Sequence, residues 1–419
     1  MQSSSSAPRA RSAYDAVIIG GGPSGSTAAT LLAQAGLRPL VLEREVFPRF
    51  HIGESLLPCD VDLLDRLGVT IEHAEGTPHL LKRGAEFYDE RAGEYAEYPF
   101  EDSLEGTAGH AFQVDRASFD LRLLEGAERA GAVVHQGEKV TGVSFDDAGV
   151  SVQTAKGTHH ARYLIDATGQ DSFLARQNRT RQRIDEFGIA AVFRHFDGLK
   201  PEIAEELRSH GNIKILFVDD GWLWAIPLGQ GRLSVGFVTR QKGITDGWLD
   251  CMIEGSEELS RLLDGATASG PHSRIGSFSF HNERPHGARW VCVGDAACFL
   301  DPVFSSGVSF GMLGSAHAMD ALIPALRAGN EADPALMDAH AAHMSAGYSV
   351  FATLIRSFYE RRLLPGLFFT KDQDAELRRG LTSVLAGDVW RDDNRFQERL
   401  WASKRRRFEI PGYQTSDPV

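Results

Sequence analysis

The sequence predicts an α/β fold: a discontinuous Rossmann-like dinucleotide-binding domain, an inserted antiparallel-sheet substrate domain and a helical C-terminal segment. Three observations predict it. A β-branched run near the N-terminus ends in glycines and leads into an Ala/Leu-rich stretch; two further apolar runs end in glycine turns far downstream; and alternating β-branched and aromatic residues fill the interval between them. At 419 residues the chain exceeds one typical globular unit, so two domains are the expected minimum.

Ala16-Val17-Ile18-Ile19 reads as a buried strand, residues 26–35 as a helix and Pro39-Leu40-Val41-Leu42 as the next strand. That order is a βαβ unit, whose strands run parallel through a right-handed crossover and bind ligand at their C-terminal ends. Residues 119–130 read as a helix, 133–134, 140–145 and 150–153 as short strands, and 162–165 as another buried strand. Alternation from 189 to about 240, clearest at 213–218 and 233–238, predicts an antiparallel sheet. Residues 290–293 resume the buried-strand pattern, 308–323 read as a helix broken at Pro324, and 335–401 as mostly helical. The expected domains are 14–185 with 271–330 for the nucleotide, 186–270 for the substrate sheet, and 331–419 for the helical segment.

A formal charge of −13 excludes nucleic acid as a general partner, since phosphate binding wants a basic face. The dense basic run Lys404-Arg405-Arg406-Arg407 reads as a solvated helix face. Cys59, Cys251, Cys292 and Cys298 form no C-x-x-C pair and no metal spacing, which predicts reduced thiols in a cytoplasmic protein. Residues 1–13 lack the apolar stretch of a secretory signal, and no run of 18 apolar residues exists to span a membrane.

Gly20, Gly22 and Gly25 in Gly20-Gly21-Gly22-Pro23-Ser24-Gly25 match G-x-G-x-x-G between a strand and a helix, a turn that lets backbone N–H groups approach a pyrophosphate. Glu43 ends the second strand, where a carboxylate accepts hydrogen bonds from ribose hydroxyls. Two further turns, Asp166-Ala167-Thr168-Gly169 and Gly294-Asp295-Ala296-Ala297, each follow an apolar strand. With these three turns the sequence resembles the FAD-dependent monooxygenase superfamily. The resemblance implies FAD as the cofactor, with Asp295 at its ribityl or pyrophosphate region and Gln113 and Arg116 flanking it. It also puts Pro23, Ser24, Arg44, Arg49, Ser55, Pro302, Gly307 and Val308 on the cofactor side.

Trp222-Leu223-Trp224-Ala225-Ile226-Pro227 fits the W-x-W-x-I-P signature of flavin-dependent halogenases, and Phe299-Leu300-Asp301-Pro302-Val303-Phe304-Ser305-Ser306-Gly307 fits their F-x-x-P-x-x-S-x-G segment. Phe47-Pro48-Arg49 and Gly53-Glu54-Ser55-Leu56-Leu57-Pro58 look like the family's flavin-side segment. The resemblance runs from Tyr14 to about Leu322. It implies that Trp222, Trp224 and Pro227 keep substrate away from the flavin, a role compatible with two strand aromatics packing one face. It also implies that Lys82, in Leu81-Lys82-Arg83-Gly84-Ala85, carries the chemistry, although position alone favours a surface lysine.

Ser306 and Gly307 open a helix whose backbone N–H groups can hold an anion, and the resemblance implies chloride or bromide there; a plain helix cap is the structural alternative. Tryptophan halogenases of this kind carry a glutamate immediately before that turn, and here the position is Phe304. The branch resembled is therefore the one acting on phenols and pyrroles, free or tethered to an acyl carrier protein. With one dinucleotide loop in the chain, reduced flavin is expected from a separate flavin reductase. His51, His110, His317 and His343 show no metal spacing, and none is singled out as a general base. The alternatives are a hydroxylating monooxygenase or a flavin reductase of the same fold, and a flavoprotein that only binds a carrier protein.

Overall fold

A computed structural model describes residues 13–360, 368–370 and 374–402; the basic run at 404–407 and most of the N-terminal segment lie outside the described residues. Tyr14–Ile19 pairs in parallel with Pro39–Leu42 on one side and Gly157–Asp166 on the other. Val133–His135 and Trp290–Cys292 extend this sheet, also in parallel. Ala16, Val17, Ile18, Leu40, Val41, Leu164 and Ile165 have no exposed surface, because both faces are covered; hence the continuous apolar runs instead of alternation.

The register sets Ile19 opposite Leu42 and Asp166, and Asp166 opposite Cys292, so four strands end at one edge. The glycine turn, Glu43, Thr168 and Asp295 all follow from that edge. The first helix, Pro23–Gln34, has proline at its start, where the missing N–H costs no helical bond. It packs with the helices Arg116–Ala130 and Ser306–Ala328 on one face of the sheet.

The predicted break at Pro324 does not occur. Proline removes one intrahelical bond, yet the helix runs to Ala328, where Ala325 and Leu326 are buried and the Leu326 carbonyl accepts from Arg162. Tertiary packing outweighs the local cost.

The second sheet has seven strands, ordered Thr267–Gly276, Ala190–Asp197, Arg232–Thr239, Gly221–Leu228, Ile213–Val218, Gly84–Asp89, Glu94–Pro99. It reaches beyond residues 186–270 at both ends, and one junction, Ile213–Val218 with Gly84–Asp89, is parallel. The strands at 84–99 join because Phe87 and Tyr98 bury completely in the same aromatic core as Ile215 and Phe217. Alternation divides the faces. Trp222, Trp224 and Ile226 turn toward the core shared with the helix Asp338–Tyr359, whereas Leu223 and Ala225 join the core that includes Ile203, Leu249 and Leu259.

Candidate active site

A cavity of about 1060 Å³ starts at the strand edge of the first sheet and reaches the aromatic face of the second. Its floor is the glycine turn. Gly20 has φ +102°, a left-handed conformation that glycine adopts without strain, and a Cβ on Gly25 would stand 1.9 Å from the Gly20 carbonyl oxygen. Only glycine lets that strand and helix meet. Glu43 accepts from the Gly21 N–H at 2.7 Å and, through its other oxygen, from the Glu45 N–H at 2.8 Å, which fixes the carboxylate beside the turn.

A second group orders the middle of the cavity. Arg116 grips Asp120 with two hydrogen bonds of 2.8 and 2.9 Å, Arg49 adds a third at 2.9 Å, and Arg116 also donates to the Ile52 and Gly53 carbonyls. Burial alone would raise the Asp120 carboxyl; the two guanidinium groups hold it below the usual range instead. Asp295 accepts from Gln170 at 2.9 Å, and burial pushes its carboxyl up to about 6. Glu54 bonds His195 at 2.6 Å through one oxygen. The other Glu54 oxygen and the Ser55 hydroxyl are buried without a hydrogen-bond partner among the described residues.

Most of the expected cofactor residues meet here: Gly20, Gly22, Pro23, Ser24, Glu43, Arg44, Arg49, Ser55, Arg116, Asp295, Pro302, Gly307 and Val308 all line the cavity. Gly25 backs the turn. Gln113 does not reach it: the side chain is fully buried and its amide donates to the Gly211 carbonyl at 2.9 Å, tying the Ala111–Gln113 strand to the end of the helix Pro201–His210. Ser306 opens the helix Ser306–Ala328 beside Gly307 but is itself buried and off the cavity surface. The cradle fits FAD on three counts: a glycine floor with no room for a Cβ, a carboxylate fixed at the end of the second strand, and buried polar atoms left over for a ligand.

At the far end Trp222 and Trp224 form a wall, ring centroids 5.9 Å apart. Trp222 donates to the Tyr359 hydroxyl at 3.0 Å, Tyr359 donates to Asp301 at 2.8 Å, and Trp224 donates to Ser234 at 3.2 Å. Pro227 lies three strand positions past Trp224 and off the cavity surface. Phe304 packs among Phe351, Phe358 and Phe368, so the place of a carboxylate is taken by an aromatic core.

Lys82 also stays off the cavity surface, next to two segments whose neighbours line it: Leu56, which follows the lining residue Ser55, and Gly84–Asp89, which pairs with the strand of the lining residue Ile213. It is 1% exposed, donates to the Leu56 carbonyl at 2.8 Å and sits 5.2 Å from the Phe100 ring centre. Among the described residues it forms no ion pair. Burial lowers its pKa to about 7, against the attraction of Asp60. Asp60 is itself pushed up to about 6 by burial, and accepts from Ser309 at 2.5 Å on the helix that starts at Ser306.

The family model for tryptophan halogenases matches residues 15–105 and 92–408. The chain belongs to the flavin-dependent halogenases. A Pseudomonas fluorescens relative named as a chlorinase of 1H-pyrrole-2-carbonyl on a peptidyl carrier protein is 30% identical over 407 residues, covering 90% of each chain. The structure of a flavin-dependent brominase superposes with TM-score 0.81 at 27% identity, covering 93% of this chain and 98% of that one. A myxobacterial chondrochloren halogenase superposes with TM-score 0.74 at 30% identity, covering 91% of each. FAD is the halogenase cofactor and halide its co-substrate, and no described helix is long and apolar enough to cross a membrane.

Sequence reasoning missed several members of this halogenase site. Asp120 was signalled by its i,i+4 spacing from Arg116 on a helix. Asp60, His195, Asp301 and Tyr359 carry no local pattern that separates them from ordinary core or surface residues.

Proposed function

We propose that this halogenase chlorinates or brominates an electron-rich phenolic or pyrrolic ring, free or carried on an acyl carrier protein, with reduced flavin delivered by a separate reductase. Bound in its reduced form, FAD with O2 supplies the oxidising power that converts halide to hypohalous acid. The remaining roles belong to side chains and backbone. The Gly20–Gly25 turn and Glu43 hold the dinucleotide; the backbone N–H of Gly307, which lines the cavity at the start of its helix, holds halide; Trp222 and Trp224 keep the ring from the flavin. Lys82 hydrogen-bonds the oxidised halogen and directs it to the ring carbon, which then loses its proton.

The observation that carries this reading is Lys82, a fully buried amine with one carbonyl partner and, among the described residues, no ion-paired carboxylate. A lysine kept only for stability gains nothing from such a place. Phe304 supports the choice of ring: without a carboxylate there, the substrate itself must supply nucleophilicity, as an ionised phenol or a pyrrole does. The pyrrole substrate named for the Pseudomonas fluorescens relative agrees with it.

The test supplies a flavin reductase, NADH, O2 and chloride or bromide with a panel of phenols and pyrroles, free and carrier-bound. Mass spectra are expected to show halide isotope patterns that disappear in Lys82→Ala. Hydroxylated products formed without halide would overturn the reading in favour of a monooxygenase.

A further inference from the structure

We propose that His135, Glu138 and His159 form a binding site for a zinc ion at the nucleotide end, beside the cavity that Glu138 helps to line. His135 closes the strand Val133–His135, Glu138 follows in the next turn, and His159 comes from the strand Gly157–Asp166. One nitrogen from each histidine and one carboxylate oxygen lie within 4.8 Å of one another. His159 Nε2 is 2.8 Å from Glu138 Oε1, and His135 Nδ1 is 3.2 Å from Glu138 Oε2. Ligands of a tetrahedral zinc with bonds of ~2.0 Å stand ~3.3 Å apart, so the three ligand atoms, now within 4.8 Å of one another, would draw together around an ion.

Two imidazoles and a carboxylate are a donor set suited to zinc. The Glu138 carboxylate is 3% exposed, so it wants a compensating charge, and its nearest permanent cation, Lys156 Nζ, is solvent-exposed and 3.6 Å away. Thr154 donates to Glu138 Oε1 at 2.8 Å, orienting it from behind. His135 is 36% exposed, which leaves a path for the ion and a fourth position for water.

The site is tied to the cofactor cradle through backbone. The Glu43 N–H donates to the His135 carbonyl at 2.9 Å and the Glu138 N–H to the Glu43 carbonyl at 2.8 Å, so an ion held by both ligands braces the segment that carries Glu43. Its role is structural, at the nucleotide end of the cavity.

Untagged, chelator-treated full-length protein, titrated calorimetrically with zinc chloride, is expected to bind one ion per chain. His135→Ala, His159→Ala and Glu138→Gln are each expected to weaken binding by about tenfold or more. Cobalt in place of zinc should give the intense visible bands of tetrahedral coordination, a readout that needs no variant. Absence of saturable binding, a purely octahedral cobalt spectrum, or unchanged affinity in the His135→Ala/His159→Ala double variant would overturn the proposal.

Discussion

The two ends of the cavity are built on opposite principles. At the nucleotide end nearly every charged group is matched: Glu43 takes two backbone N–H groups, and Arg116, Arg49 and Asp120 close on one another. Behind the aromatic end polar capacity is left over: Lys82 has one carbonyl, and one oxygen of Asp60 has no hydrogen-bond partner among the described residues. Unmatched buried groups cost stability, so they persist where a ligand or a reaction uses them. The comparison teaches where the molecule holds and where it acts.

The largest effect is expected from breaking the acting end. Lys82→Met fills a similar volume and removes the buried amine, so thermal stability should hold or rise. Halogenated product should fall by about 10²- to 10⁴-fold while FAD content is unchanged, measured by mass spectrometry and flavin absorbance. Halogenation at the wild-type rate would remove Lys82 from the chemistry and dissolve the contrast.

Breaking the holding end should do the reverse. Gly25→Ala puts a methyl 1.9 Å from a carbonyl oxygen of the turn, a clash with rigid backbone. We expect a cost of about 3 kcal/mol and loss of FAD, read from the melting temperature and from flavin retained on a desalting column. A variant that keeps both would show that the turn is more yielding than its geometry implies.

The same contrast explains what was legible in the sequence. Gly20–Gly25, Glu43 and Asp295 were readable because parallel strands end at one edge and the turns after them must converge there. Trp222 and Trp224 were readable as a shared strand face. Gln113 was misplaced because the three-residue strand that carries it pairs with Leu80–Lys82 and turns its amide to Gly211. Nor does sequence spacing reveal the Lys82–Asp60–Ser309 grouping, whose members lie 22 and 249 residues apart and meet only through packing. Likewise the sheet strands at 84–99 were hidden, since their aromatic partners lie more than 100 residues away.

A smaller effect sharpens the wall between the ends. Trp222→Phe keeps an aromatic face and removes the indole N–H that donates to Tyr359, whose own bond to Asp301 survives. The loss should be about 1 kcal/mol in denaturant unfolding, with FAD binding intact. A large loss of FAD would instead make Trp222 part of the holding end.

The smallest effect lies in the pH dependence of the buried pair behind the acting end. Asp60 titrates at about 6 in the fold, above its usual 3.8, and Lys82 at about 7, below its usual 10.5. From pH 4 to 6 the native Asp60 holds a proton that the unfolded chain has released, so its contribution to stability falls as pH rises. From pH 7 to 10.5 the unfolded chain holds the Lys82 proton that the native state has released, so stability rises with pH. The pair therefore contributes least between about pH 6 and 7. If the neutral amine carries the halogen, halogenation should rise with pH to a midpoint near 7. In Asp60→Asn the charge that favours the ammonium is gone, so that midpoint should move to lower pH. The same midpoint in both proteins would show that Lys82 does not sense Asp60 and that the two groups act separately.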